Sequence, residues 1–593
     1  MQSQTENTSE QAAVDLAKIK VARRAGDWLG VFDAAETAIR AGRGGEEMHY
    51  NQALALANIG DIERASFLFD TCRLADNADT HKRALGARLL KDQGRTKEAY
   101  ASYRALYDKT HDPYHGINAA SLALLSDQCD DAREVATSIL ALPNIAAPSD
   151  YYSAATKAEA LVILGDAKGA AAAIALATSL PDSGPGPQSG TLRQLSRVAP
   201  AAGIAPHDCC ALLDMLRPPA CFHYAGHMFA PEPTEEARIS HAIHEALNDH
   251  KAGYAFGSLA AGADILVAEA VLERGGELHI VLPCAWSDFV AQSVRPAGEE
   301  WVTRAEACKA RVADNRIIFA STIEYVSDPE IFAYGSAVAM GLARLKAQQL
   351  AAHCFQIAIW DGKPGGRVGT GSDIALWRAR GGNTEVINSG AIDRGFARPE
   401  GAEEQSLPRR NAAILFTDYA GFSQLAESRY PVFDGEIMGR VAAVVDRHGS
   451  RVLGRNTWGD ALFAVLDNAI AGAEFALDLQ HELKDFDPAA LGLEEGRGGM
   501  RIALHYGSVY EAADRVTGMA NFLGNEIARA ARIEPITPPG DVYVTEPFAA
   551  MIALHAHERF RCRYVGKVDL AKKYGAFPMY RLTPAAPGGA SDA

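Results

Sequence analysis

Two aspartates carry the clearest chemical signal in this chain. Asp418 ends the apolar run of "NAAILFTDYAGFSQL", and Asp460 follows Gly459 in "RNTWGDALFAVL". Taken singly, each reads as a turn former or a strand-end cap. Brought together, the two carboxylates make a site for a hard divalent cation. Magnesium takes one or two carboxylates and leaves its other positions to water and phosphate oxygens. A pair of such ions can activate an attacking oxygen and neutralise a leaving one. The expected cofactor is therefore Mg2+ or Mn2+, two per site, with Asp418 and Asp460 as ligands.

The elements around the two acids decide whether they meet. From Asn411 to about residue 583 the pattern begins with an apolar strand, then the helical "PVFDGEIMGRVAAVVDRHG". The strands "SRVLGRNT" and "ALFAVL" follow, joined across Trp458-Gly459-Asp460. A helix, "AIAGAEFALDLQHELKDF", leads to the strand "MRIALHYGSVYEA". The order β-α-β-β-α-β is the ferredoxin-like arrangement, an α+β fold. In it the first strand and the hairpin are neighbours, so the acids are expected to converge at the sheet's edge.

"FTDYAGFS", "WGDALFAV", "RIALHYGSVYE" and "NFLGNEIARAARIEPITPPGDVYVTE" follow one another within residues 411–583. Together they resemble the catalytic domain of class III nucleotidyl cyclases. The resemblance implies a head-to-tail homodimer with composite active sites. The 3′-hydroxyl of a nucleoside triphosphate would attack its own α-phosphorus and release pyrophosphate. Asp418 and Asp460 match the metal aspartates, and Arg532 matches the arginine that steadies the pentavalent phosphate. Lys572 or Lys573, in "VDLAKKYG", would contact the terminal phosphates. Asn456 and Asn521 fall at the two base-selecting positions, where adenylyl members carry Lys and Asp and guanylyl members Glu and a small residue. An amide offers a donor and an acceptor side by side, which suits adenine. ATP is the expected substrate and cAMP the product, with GTP or a pyrimidine nucleotide as the alternative. Ala528 departs from the family, which has asparagine there; Asn525 could supply the missing donor. A catalytically weak or inactive nucleotide-binding module is the competing reading.

Residues 219–395 read as alternating strands and helices. Short apolar runs ("CFHYAG", "GYAFGS", "ELHIVLP", "RIIFAS", "FQIAIW") are separated by helix-length segments. That alternation implies a Rossmann-like parallel sheet with ligands at the loops after the strands. "GSLAAGADILVAEAVLERG" puts glycines before a helix N-terminus, a geometry suited to phosphate. The run resembles the SLOG superfamily, which implies a ligand-sensing domain for a nucleotide-related molecule, with His227 and Asp264 as contacts. A third hypothesis makes this domain the catalyst, a hydrolase using Asp264 or Glu269 as its acid.

Residues 12–181 are helical in pattern. "ALANIGDIERASFLF" and "RLLKDQGRTKEAYASY" superimpose Gly60 on Gly94, Ala65 on Ala99 and Phe69 on Tyr103. "LLSDQCDDAREVA" brings Ala132 to a similar offset without the glycine, and "LVILGDAKGAAAA" restores it with Gly165 and Ala170. These residues and their spacing resemble the tetratricopeptide repeat. Stacked hairpins of this kind offer a concave surface to a protein partner. Residues 182–218, opening with "PDSGPGPQSG", and 396–410 read as linkers.

The chain as a whole bounds these readings. Its 593 residues exceed one core, and its composition, 48% hydrophobic and 22% charged with mean hydropathy −0.09, is that of a globular multidomain protein. A formal net charge of −16 argues against nucleic-acid and anionic-membrane binding. No signal-like N-terminus or spanning segment is evident. Nine cysteines lack any CxxC pair, which fits reduced thiols and a cytoplasmic location.

Overall fold

The computed structural model describes residues 2–321, 330–363, 368–390, 392, 394–395, 408–494, 498–516, 518 and 520–585. The chain divides into two compact units. One holds the residues up to Pro219 with Gln348–His353, and the other holds Ala220–Ala347 with the chain from Cys354 onward.

The first unit is all-helical. Four hairpins, Glu46–Asn58 with Ile62–Thr71, Thr80–Asp92 with Thr96–Thr110, Pro113–Leu124 with Cys129–Leu140, and Tyr151–Ile163 with Ala167–Ser179, carry the repeated pattern. The corner of each needs a left-handed residue. Gly60 (φ 84°), Gly94 (φ 79°) and Gly165 (φ 84°) supply it, and Asp127 takes the same conformation at φ 60° where the glycine is missing. Ala65, Ala99, Ala132 and Ala170 are fully buried in the second helix of each pair. Phe69 fills the seam so closely that a Cβ on Gly86 would lie 2.7 Å from its ring.

The segment expected as a linker is different. Pro185–Ala201 and Pro206–Leu216 are helices, and Leu195, Val198, Leu212 and Leu216 are buried in the core of this unit. Pro185 and Pro206 occupy first helical positions, where the missing N–H costs nothing. Pro185, which reads as part of a break, is a helix start.

The second unit contains two sheets. Strands β1 (Ala220–Gly226), β2 (Ala252–Gly257), β3 (Glu277–Leu282), β4 (Ile317–Phe319), β5 (Cys354–Trp360) and β6 (Thr384–Asn388) form a parallel sheet in the order β4-β3-β2-β1-β5-β6. The chain steps outward from β1 to β4, then returns to place β5 on the other side of β1. The switch point, where such sheets take ligands, lies at the carboxyl ends of β1 and β5. The central strand β1 is buried on both faces, as a helix-covered parallel strand must be, with six of its seven residues buried, while the edge strand β6 is largely exposed.

The second sheet comprises β7 (Arg409–Ala420), β8 (Val452–Trp458), β9 (Ala461–Leu466), β10 (Gly499–Ala513), β11 (Ala520–Leu523), β12 (Val542–Thr545), β13 (Phe560–Leu570) and β14 (Gly575–Pro584). Its order is β13-β14-β12-β10-β7-β9-β8, with β11 paired to β10. The run β10-β7-β9-β8 is the ferredoxin-like arrangement expected from the sequence. All pairings are antiparallel except β10 with β12. The architecture is thus a helical region, a parallel α/β sheet and an α+β domain. Among the described residues no helix is long and apolar enough to cross a membrane.

Candidate active site

Asp418 is carried by β7, whose register puts it opposite Arg501 of β10. β9 is the other neighbour of β7, so the β8–β9 hairpin delivers its tip beside Asp418. The tip turns at Gly459, whose φ of 63° favours glycine, and Asp460 follows directly. The backbone N–H of Tyr419 donates to Asp460 Oδ2 at 3.1 Å, tying the hairpin to the strand that holds Asp418. Burial pushes the Asp460 carboxyl up to about 6, and the charge of Asp418 beside it adds to the rise. The two acids therefore meet, as their spacing and topology predict.

Two further residues complete this cluster. Glu534 is pushed up to about 7 by burial, with Asp418 and Asp460 contributing. Arg501 lies between the acids, with one guanidinium nitrogen 3.7 Å from Asp418 and 3.6 Å from Glu534. Arg501 thus faces two of the three carboxylates, Asp418 and Glu534. Among the described residues no group of three or more His, Cys, Asp or Glu side chains is arranged to hold a metal ion by itself. The pair Asp418–Asp460 fits magnesium or manganese in the way those ions accept it, with two carboxylates and the remaining positions filled by water and phosphate. Arg501 and Glu534 were not singled out from the sequence. Their signals are the arginine heading "RIALHYG" and the glutamate two residues past Arg532.

Arg532 belongs to a second cluster. It follows the helix Asn525–Ala530, and its guanidinium lies 4.6 Å from the Tyr574 ring. Its Nε is buried without a hydrogen-bond partner among the described residues. Arg529, one turn earlier, lies over Phe577 and pairs with Glu526 at 3.3 Å. The N–H of Ala571 donates to the Arg532 carbonyl, which brings the lysine segment alongside. Lys572 is exposed in a left-handed conformation at φ 61°; the side chain of Lys573 lies outside the described residues. Among the described contacts none joins this cluster to Asp418 and Asp460.

Asn456 is exposed on β8, and Asn521 is half-buried on β11. Each amide oxygen accepts the N–H of the next residue, Thr457 at 2.9 Å and Phe522 at 2.8 Å. Neither amide nitrogen has a partner among the described contacts, so each remains a free donor. The two strands approach closely: a Cβ on Gly454 would lie 2.6 Å from the Phe522 ring. A cleft of about 450 Å³ beside Asn521 is lined by Arg410, Leu453, Glu511 and Phe522. Asn525 and Ala528 are both exposed on the helix that precedes Arg532.

In the parallel-sheet domain, His227 follows β1 and lies 3.1 Å from Asp361, which follows β5. These residues mark the switch point. Asp264 is buried at the start of the helix Ala263–Glu273, accepts from the Ser258 hydroxyl at 2.5 Å and is pushed up by burial to about 6. Glu269 forms a two-pronged ion pair with Arg304, at 2.8 and 2.7 Å, and is spent in holding two helices together. Of the acids considered for a hydrolase in this domain, Glu269 is already engaged structurally.

No family model matches the chain, and no curated protein sequence matches it. Solved structures resemble part of it. The guanylate cyclase domain of RhGC from Catenaria anguillulae, in complex with GTP, is 20% identical over 30% of this chain and 100% of that one, with a TM-score of 0.26. The adenylyl cyclase CyaB from P. aeruginosa is 14% identical over 31% of this chain and 98% of that one, at 0.27. An adenylate cyclase structure from Trypanosoma brucei, in the monomeric state, is 19% identical over 31% and 95%, at 0.24.

Proposed function

We propose that the C-terminal domain is a nucleotidyl cyclase that converts a nucleoside triphosphate, ATP in the first instance, to the 3′,5′-cyclic monophosphate and pyrophosphate. The observation that carries this reading is the Asp418–Asp460 pair, set by strand register and fixed by the Tyr419 N–H. Divalent ions held by these two carboxylates would lower the barrier by neutralising charge on the phosphates and the entering oxygen. The bond from the 3′-oxygen to the α-phosphorus forms as the bond to pyrophosphate breaks, and the hydroxyl proton passes to solvent.

The chain's own residues have separate tasks. Asp418 and Asp460 bind from one protomer. Arg532 faces the α-phosphate from a second copy of the domain, since among the described contacts none joins its cluster to the acids. Its fixed fork of donors suits a pentavalent phosphate. Lys572 or Lys573 meets the terminal phosphates. Asn456 and Asn521 present amide donors to ring nitrogens of the base, and the cleft beside Asn521 gives the base room. The homodimer, the two metal ions and the choice of adenine all belong to this proposal. So do a nucleotide-related ligand at the switch point between His227 and Asp361, and a protein partner on the helical hairpins.

The exposed methyl of Ala528, where the resembled family has asparagine, favours a second reading: a weak or inactive nucleotide-binding module. The two are separated by incubating the full chain with each of the four nucleoside triphosphates and Mg2+ or Mn2+, with mass-spectrometric identification of product. Cyclic product that disappears in Asp418→Ala supports the cyclase. Nucleotide binding without turnover supports the module.

A further inference from the structure

The parallel-sheet domain and the α+β domain share a buried polar chain at the base of the helix Asn525–Ala530. Glu526, the second residue of that helix, is 1% exposed. One of its carboxylate oxygens accepts from the Ser321 hydroxyl at 2.7 Å, and Ser321 is fully buried just beyond β4. The other is 2.7 Å from His505 Nε2 on β10 and 3.3 Å from the Arg529 guanidinium. His505 Nδ1 in turn meets the Thr545 hydroxyl at 2.8 Å, at the end of β12. With the imidazole neutral, Nε2–H donates to Glu526 and the threonine hydroxyl donates to Nδ1. Among the described residues the carboxylate thus has three donors, of which Ser321 comes from the other domain.

The geometry leads from this carboxylate to Arg532. Glu526 fixes Arg529 one turn on, and the Arg532 N–H bonds back to the Arg529 carbonyl at 3.1 Å. Both guanidinium groups lie on adjacent rings, Phe577 and Tyr574, whose centroids are 5.9 Å apart. A shift of the helix therefore moves both arginines against the same aromatic floor. A carboxylate buried with three donors is an all-or-none arrangement, because loss of one donor leaves a lone pair that water cannot reach.

We propose that Ser321 and Glu526 are positioning residues for Arg532, so that the parallel-sheet domain helps hold the phosphate-facing arginine in place through the buried Ser321 hydroxyl, beside the Tyr334 hydroxyl that donates to the Tyr506 carbonyl at 2.7 Å. Ser321 sits at the carboxyl end of the sheet, the side on which such sheets take ligands. A ligand that displaced the end of β4 would reach Arg532 by this route. The proposal rests on the reading of Arg532 given above.

The test uses the full chain with Ser321→Ala, and Arg344→Met as the control. Arg344 also joins the two domains, through the Leu554 carbonyl at 3.2 Å, but does not touch the helix. Ser321→Ala is expected to lower kcat by about tenfold to a hundredfold with KM nearly unchanged, as displacement of a transition-state group does. Arg344→Met is expected to leave kcat near wild type. Hydrogen–deuterium exchange supplies a readout independent of turnover: protection across residues 525–532 falls in Ser321→Ala and not in Arg344→Met. Unchanged exchange in that segment overturns the proposal. Equal loss of protection across both domains in the two variants also overturns it, because the contact would then be general docking. If the wild type turns over no nucleotide, the exchange result still decides the positioning claim, while the cyclase reading falls by itself.

Discussion

Asp460 accepts a hydrogen bond from the backbone of Tyr419, the residue directly after Asp418. The two acids are therefore held at one place by main-chain geometry, with Gly459 making the turn that allows it. Nothing in this arrangement depends on long, mobile side chains.

The first prediction concerns the cation. Mn2+ at a hundredfold excess over its Kd should raise unfolding stability by about 2.7 kcal/mol if it binds only the folded chain. Asp418→Asn and Asp460→Asn should abolish that gain. Thermal unfolding with and without Mn2+ measures it, and product formation should fall by about a hundredfold or more in the same variants.

Arg532→Lys should lower kcat by about a hundredfold with little change in stability. A lysine keeps the charge but loses the planar fork and the stacking on Tyr574. Ala528→Asn adds a donor on the exposed face of the helix Asn525–Ala530, which precedes Arg532, and should raise kcat by up to about a hundredfold. Steady-state kinetics on both variants checks the pair, and a rise in the second identifies the missing donor as the reason for a slow wild type.

Asp373 gives a pH prediction away from the cation site. Burial, with Asp264 nearby, pushes its carboxyl from 3.8 to about 7. The folded state therefore holds this proton over a range where the unfolded chain has released it, and stability falls as pH rises through that window. Asp373→Asn should match the wild type near pH 4 and exceed it at pH 8. Denaturant midpoints across pH 4–8 should show the wild type with the steeper decline.

Asp127 holds a left-handed corner that glycine holds in the other three hairpins. Asp127→Gly should stabilise the helical unit by about 0.5–1 kcal/mol, because glycine relieves the side-chain clash at positive φ. Equilibrium unfolding followed by circular dichroism measures the gain.

What could be read from the sequence was whatever short-range rules dictate. The glycine corners follow from backbone sterics, and even the exception, Asp127, obeys the same conformation. Asp418 and Asp460 were legible because a strand end and a hairpin tip have few places to go in a β-α-β-β order. Arg501 and Glu534 were not, since their meeting depends on the register of β7 with β10 and on a turn after Arg532. Ser321 and Glu526 stand 205 residues apart, and no local pattern announces their contact. Pro185 reads as part of a break because proline breaks a helix from inside and begins one from its first position equally well.

The separation of the acid cluster from the arginine cluster has a genetic counterpart. If each site draws one cluster from each copy, a chain without Asp418 and a chain without Arg532 are both silent alone yet complement when mixed. The hybrid dimer keeps one whole site and spoils the other. The same logic leaves a dimer of either variant with the wild type one whole site for each wild-type chain, and makes specific activity fall on dilution.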